Sequence, residues 1–193
     1  MRFINAKFIK SASKKSEFIF DDLAQVAIVG RSNVGKSSLI NTLTNNGKLA
    51  KTSSTPGRTR LVNYFNIDNK FYLVDLPGYG YHKASKGIAK AWDNVMNDYF
   101  SDNPNLKLVL LLLDSRILAT DLDKQMIDYL FEKQIPALIV LTKADKISRS
   151  ELNLQIDKLS KELRYSKDRI VSTSALKKSG VEKIGIILDD YIN

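Results

Sequence analysis

Apolar residues along this chain fall into short runs that follow two periods in alternation, and that alternation predicts strands and helices in turn. Runs of branched and aromatic residues bounded by polar turns predict strands at Gln25–Val29, Leu61–Ile67, Lys70–Asp75, Lys107–Asp114, Ala137–Thr142 and Arg169–Ser172. Apolar positions spaced three and four apart predict helices at Lys36–Asn45, Ile88–Phe100, Leu122–Lys133, Ser150–Leu163 and Val181–Tyr191. The run from Leu108 to Leu113 is apolar on both faces, as a central strand covered on either side by helices must be. Ala137 to Leu141 reads the same way, with Pro136 at a strand start, where a missing N–H is tolerated.

Asp68 and Asn69 separate the second and third strands by a turn too short for a crossover, so these two should form an antiparallel hairpin. The other strands, separated by helices, should be parallel with right-handed crossovers. The expected fold class is α/β. It has three layers, a six-stranded, mostly parallel sheet with one antiparallel hairpin strand, and a ligand site at the carboxyl ends of the strands. No repeat, linker or second unit breaks the pattern, so residues 1–193 are expected to form one domain with residues 1–23 as an N-terminal extension. A chain of this length buries about 70% of the surface it exposes when unfolded.

Composition narrows the chemistry. There is no cysteine, which excludes disulfides, thiolate metal sites and cysteine nucleophiles. Polar residues interrupt the N-terminal segment before a signal-peptide core develops, and Leu108–Leu113 is far short of a membrane span. A cytoplasmic, monomeric protein without stable membrane insertion is therefore expected. The net charge is +9 and the pI about 9.6, which favours a polyanionic partner or a membrane surface. Lys48, Lys51, Arg58 and Arg60 lie between Gly47 and Arg60 with no acid, and Lys83, Lys86 and Lys90 lie between His82 and Trp92, again with none. These unopposed stretches flank the motifs below and point to nucleic acid.

Gly30-Arg31-Ser32-Asn33-Val34-Gly35-Lys36-Ser37 has the form G-x-x-x-x-G-K-[ST] between a predicted strand and a predicted helix. This is the context in which successive backbone N–H groups and a helix N-terminus converge on phosphates, so the fold is expected to be that of the P-loop NTPases. Lys36 would reach the β- and γ-phosphates, and the Ser37 hydroxyl would ligate Mg²⁺. Asp75-Leu76-Pro77-Gly78 closes the third strand as D-x-x-G. The aspartate can hold Mg²⁺ through water, and the Gly78 N–H can bind the γ-phosphate. Thr142-Lys143-Ala144-Asp145 ends the fifth strand, and Asp145 can accept from the N1–H and 2-amino group of guanine, which adenine does not offer. Lys143 would lay its stem over the ring, and a backbone N–H of Ser174-Ala175-Leu176 could meet guanine O6. Within the long loop Lys48–Arg60, Thr59 is preferred over Thr55 as a second Mg²⁺ ligand, because it follows the flexible Gly57 and lies closer to the hairpin.

The ordered set G-R-S-N-V-G-K-S, T-P-G-R-T, D-L-P-G-Y-G, T-K-A-D and S-A-L resembles the translation-factor-related GTPases. The run Asp75 to Tyr81 together with Thr55 to Thr59 resembles the EngB family (also called YihA or YsxC) over nearly the whole chain. That resemblance implies a GTPase switch, with GTP and GDP as ligands, that assists assembly of the large ribosomal subunit through rRNA and is linked to normal cell division and septation. It assigns Gly30, Arg31, Ser32, Asn33, Val34, Gly35, Lys36 and Ser37 to the phosphates, and Ser37 and Thr59 to Mg²⁺. Gly57, Arg58, Thr59, Arg60 and Leu61, with Asp75, Leu76, Pro77 and Gly78, fall in the γ-phosphate region. Thr142, Lys143, Ala144 and Asp145, with Thr173, Ser174 and Ala175, fall at guanine. Lys36, Thr59 and Gly78 are the residues expected to act on the reacting phosphate.

Tyr79 stands where Ras-like proteins carry a water-orienting glutamine, so slow unaided hydrolysis is expected. Asn33 is open to two readings, a ligand to an activating K⁺ as in related GTPases or an amide capping its own turn. His82 is expected to be exposed or to contact RNA, and Trp92, Val95, Met96 and Tyr99 to pack in the core. Tyr79 and Tyr81 could stack on a base or pack within a switch segment. The alternative function is a nucleotide-gated module that binds a division protein or membrane surface with little turnover. An ATP-using kinase is opposed by Asp145.

Overall fold

A computed structural model describes residues 3, 5–51, 61–79, 94–101 and 103–192. Seven strands, β1 (Ala6–Ala12), β2 (Ala24–Gly30), β3 (Val62–Ile67), β4 (Phe71–Asp75), β5 (Leu106–Asp114), β6 (Ala137–Thr142) and β7 (Ile170–Ser172), form one sheet in the order β1-β3-β4-β2-β5-β6-β7. Helices are α1 (Lys36–Leu43), α2 (residues 94–100), α3 (Asp121–Glu132), α4 (Arg149–Glu162) and α5 (Val181–Ile192). The predicted elements recur with ends shifted by a residue or two, except that the first residues of the expected Ile88–Phe100 helix lie outside the described residues.

The hairpin turn follows from local chemistry. Asp68 and Asn69 both take positive φ, 52° and 54°, which Asn and Asp tolerate better than other side chains, and Lys70 N–H closes the turn on the Ile67 carbonyl at 2.9 Å. β3 pairs antiparallel with both neighbours, while β2, β4, β5, β6 and β7 pair in parallel. Alternate residues of the central strands feed two separate cores. Val109, Leu111 and Leu113 pack with α2, α3 and α4 on one face, and Leu108, Leu110 and Leu112 pack with α1 and α5 on the other. These are the three expected layers. Tyr99 and Met96 lie in the first core as expected, whereas Trp92 lies outside the described residues.

Among the described residues the sheet has seven strands rather than six. The additional one, β1, comes from the segment expected to be an N-terminal extension, and it pairs with β3 through a bulge at Ile9. Its middle is exposed, with Phe8 and Ile9 about half accessible and Lys7 and Lys10 beside them, so it lacks the in–out alternation that announces a half-buried strand. Lysines and a bulge are usual features of a protected sheet edge.

Candidate functional site

The carboxyl ends of β2, β4, β5, β6 and β7 lie at one end of the sheet, and the predicted motifs occupy them. At the end of β2 the chain turns through Asn33 and Gly35 at φ 62° and 115°, then enters α1. The first helical bond of α1 is from Leu39 N–H to Gly35 C=O, so the N–H groups of Lys36, Ser37 and Ser38 precede it and are oriented toward the loop. Within the loop, Val34 N–H bonds the Arg31 carbonyl and Ser32 N–H bonds the Tyr79 carbonyl. Ser32 thus supports the loop through its backbone.

The D-x-x-G segment is fastened to the same strand by Leu76 N–H to Ile28 C=O and Tyr79 N–H to Gly30 C=O. Gly78 sits so close that a Cβ there would lie 3.1 Å from Lys36 Nζ and 3.2 Å from Ser32 N, which explains a residue without a side chain at this point. Lys36 Nζ lies 3.9 Å from Asp75 Oδ1. Asp75 is 6% exposed and its Oδ1 has no hydrogen-bond partner. Burial pushes its pKa up, opposed by the Lys36 charge and by Asn63, its cross-strand neighbour.

Tyr79 turns away from this site. Its ring is 4% exposed and its hydroxyl donates to Asp123 Oδ1 of α3 at 2.6 Å. Burial first, and then the Asp123 carboxylate, raises the pKa of the phenol and keeps it protonated. Of the two expectations for Tyr79, packing holds and stacking on a base does not.

A cavity of about 290 Å³ lies beside α1, lined among others by Gly35, Thr142, Lys143, Asp145, Thr173, Ser174 and Ala175. Asp145 Oδ1 accepts from Ser174 Oγ at 2.6 Å, and this bond, above all, lowers the carboxylate pKa. The Thr142 hydroxyl faces inward, 2.6 Å from the Val34 carbonyl and 3.1 Å from that of Leu113, while the Thr173 hydroxyl reaches the Leu141 carbonyl. These two threonines therefore brace the cavity wall, and Asp145 is the carboxylate in the cavity lining. Ala144 N–H is bonded to the Thr173 carbonyl, which ties the loops after β6 and β7 together.

The sequence reading did not include Asp114, Arg116 and Asp123. Asp114 ends β5 as Asp75 ends β4, and that shared strand-terminal position was the available signal. Leu61 begins the described chain before β3, whereas Thr55, Gly57, Arg58, Thr59 and Arg60 lie outside the described residues, as do Tyr81 and His82.

A mostly parallel sheet whose strand ends bring together a G-x-x-x-x-G-K-S loop, a D-x-x-G turn packed on its lysine and a cavity lined by the aspartate of T-K-A-D defines a P-loop GTPase. A family model described as 50S ribosome-binding GTPase (MMR_HSR1) matches residues 25–143. The chain is 43% identical to a probable GTP-binding protein EngB of Caldanaerobacter subterraneus subsp. tengcongensis, over 100% of this chain and 99% of that protein. It is 47% identical to one from Clostridium kluyveri, over 100% and 98%. The chain belongs to the EngB family of GTP-binding proteins. A crystal structure of a probable GTP-binding protein engB superposes with TM-score 0.74 at 24% identity, covering 88% of this chain and 98% of that one. The structure of Era in complex with MgGDPNP and nucleotides 1506–1542 of 16S ribosomal RNA superposes with TM-score 0.72 at 25% identity, covering 89% of this chain and 57% of that one.

Proposed function

We propose that this GTPase is a Mg²⁺-dependent cytoplasmic switch that assists assembly of the large ribosomal subunit by binding rRNA, with a link to cell division and septation. The observation that carries the reading is the packing of Gly78 against Lys36 and the phosphate loop. The chain leaves that contact directly into the acid-free stretch His82–Trp92, so a group sensed at the γ-phosphate position would act on a basic segment. Its 50S ribosome-binding family and an rRNA-binding relative of the same fold support the polyanionic partner.

The residues present suit Mg²⁺. A buried carboxylate oxygen on Asp75 without a hydrogen-bond partner, next to a lysine, is an environment that a bound cation relieves. Ser37 and Thr59 would ligate the ion and Asp75 would support it through water; once bound, the ion neutralises charge on the phosphates. Lys36 then orients the terminal phosphates, and Asp145 selects guanine. With Tyr79 engaged by Asp123, its side chain supplies no water-orienting group, so unaided turnover is slow. Whether a K⁺ near Asn33 adds charge is tested by comparing turnover in K⁺ and Na⁺.

The decisive experiment is cosedimentation with large-subunit particles in GTP, in GDP and without nucleotide. Association that is strongest with GTP is expected. Absence of any GTP-dependent association overturns the ribosomal reading and favours the nucleotide-gated module.

A further inference from the structure

We propose that Asp114 is a positioning residue that holds Lys143 across the base cavity and so sets how long a guanine nucleotide stays bound. The proposal rests on the guanine reading of that cavity. In the β5–β6 register Asp114 lies directly opposite Thr142, which places its carboxylate beside the next residue, Lys143. Lys143 has a left-handed backbone at φ 58°, and its Nζ lies 2.9 Å from Asp114 Oδ2 and 3.0 Å from the Asn33 carbonyl of the phosphate loop. The lysine stem therefore spans from the base loop to the crown of the phosphate loop. It lines the cavity of about 290 Å³ and also a second cavity of about 220 Å³ whose lining includes Asp114 and Arg116.

Lys143 is common to the linings of both spaces, and a lysine is a poor wall by itself. Its ammonium is strongly hydrated and rides on a flexible four-carbon stem, so without a partner it is drawn into water. The Asn33 carbonyl gives one neutral acceptor; Asp114 gives a charged one. That carboxylate is in turn fixed by Arg116, whose Nε and one terminal nitrogen bond its two oxygens at 2.9 and 2.7 Å. The Asp114 side chain is 12% exposed, so the pair is partly sheltered from solvent screening. An Asp114→Asn side chain keeps the shape and loses the charge that holds two cations. The Lys143 stem is then free to swing into the second cavity, and the face of the base loses its cover.

The test is the dissociation rate of fluorescently labelled GDP, chased with unlabelled GDP, from the full chain. Asp114→Asn is expected to speed release about ten- to a hundredfold, as loss of a charge-assisted hydrogen bond would. Arg116→Gln, which loosens the carboxylate and leaves the ion pair in place, should speed release by a smaller factor. Lys143→Ala should speed release by itself, and neither substitution should add to it. A residue that merely stabilised the fold would multiply the Lys143→Ala effect. Thermal melts of each nucleotide-free variant confirm folding, and Arg116→Gln carries the test if Asp114→Asn does not fold. Release unchanged within about twofold in the folded variants, or effects that multiply with Lys143→Ala, overturns the proposal. If the unaltered chain fails to retain GDP in preference to ADP, the guanine reading itself falls, and the proposal with it.

Discussion

Asp75 shows how a buried carboxylate at a strand end can cost stability. Burial raises its pKa, so the folded chain holds its proton more tightly than the unfolded chain does. The penalty for ionising it in the fold is absent below the unfolded value and fully present once the pH exceeds the folded value. Asp75→Asn should therefore raise the melting temperature of the nucleotide-free protein at pH 8. The gain should shrink as the pH falls toward about 4, the ordinary carboxylate value, and the extra stabilisation by Mg²⁺ and GTP should be lost. A lower melting temperature at every pH would count against this account. Asp145 follows a different rule, since Ser174 holds its carboxylate ionised and ready to accept. Asp145→Asn should weaken GTP binding by about a hundredfold or more and shift preference to xanthine nucleotides, whose 2-oxo group needs a donor. Calorimetric titration with GTP and XTP would decide it; unchanged GTP affinity would remove guanine from the cavity. Asp145 and Lys36 were readable in the sequence because each belongs to a short contiguous motif. The Asp145–Ser174 pair was not, since its members lie 29 positions apart and meet only because β6 and β7 are neighbours.

Among the elements, α3 is tied to the site at its first turn. Asp123 Oδ2 accepts from the Thr120 backbone N–H at 2.8 Å and from its hydroxyl at 2.7 Å, closing the helix cap, while Oδ1 takes the Tyr79 hydroxyl. One buried carboxylate thus joins a helix N-terminus to the residue after Gly78. Tyr79→Phe leaves Oδ1 buried and unpaired and should cost about 1–3 kcal/mol in urea unfolding. A variant as stable as the native chain would show that the oxygen finds water instead. The helix itself was legible from its periodicity, but its attachment to Tyr79 was not, because helical pattern records which face is buried and not what caps the end. β1 shows the reverse limit. Its lysines and exposed aromatics suit a sheet edge, and such a strand gives little periodic signal until a neighbour is known to be there.

At the scale of the molecule, the +9 charge is unevenly distributed, with acid-free stretches on either side of the D-x-x-G turn. If the partner is rRNA, association with large-subunit particles should weaken by about a hundredfold between about 50 and 200 mM salt, because neutralised phosphates release counterions on binding. Sedimentation across a salt series would show it, and a flat response would point to a protein partner. The sequence by itself determined the strand and helix alternation, the G-x-x-x-x-G-K-S loop, the D-x-x-G turn and the T-K-A-D segment that carries Asp145. Each of these is set by period or by residues adjacent along the chain. Only the tertiary structure decided the strand order and the seventh strand, together with the contacts of Asp114 with Lys143 and of Tyr79 with Asp123. Those pairs lie 29 and 44 positions apart, and what brings them within hydrogen-bonding distance is strand register and layer packing, which local composition does not encode.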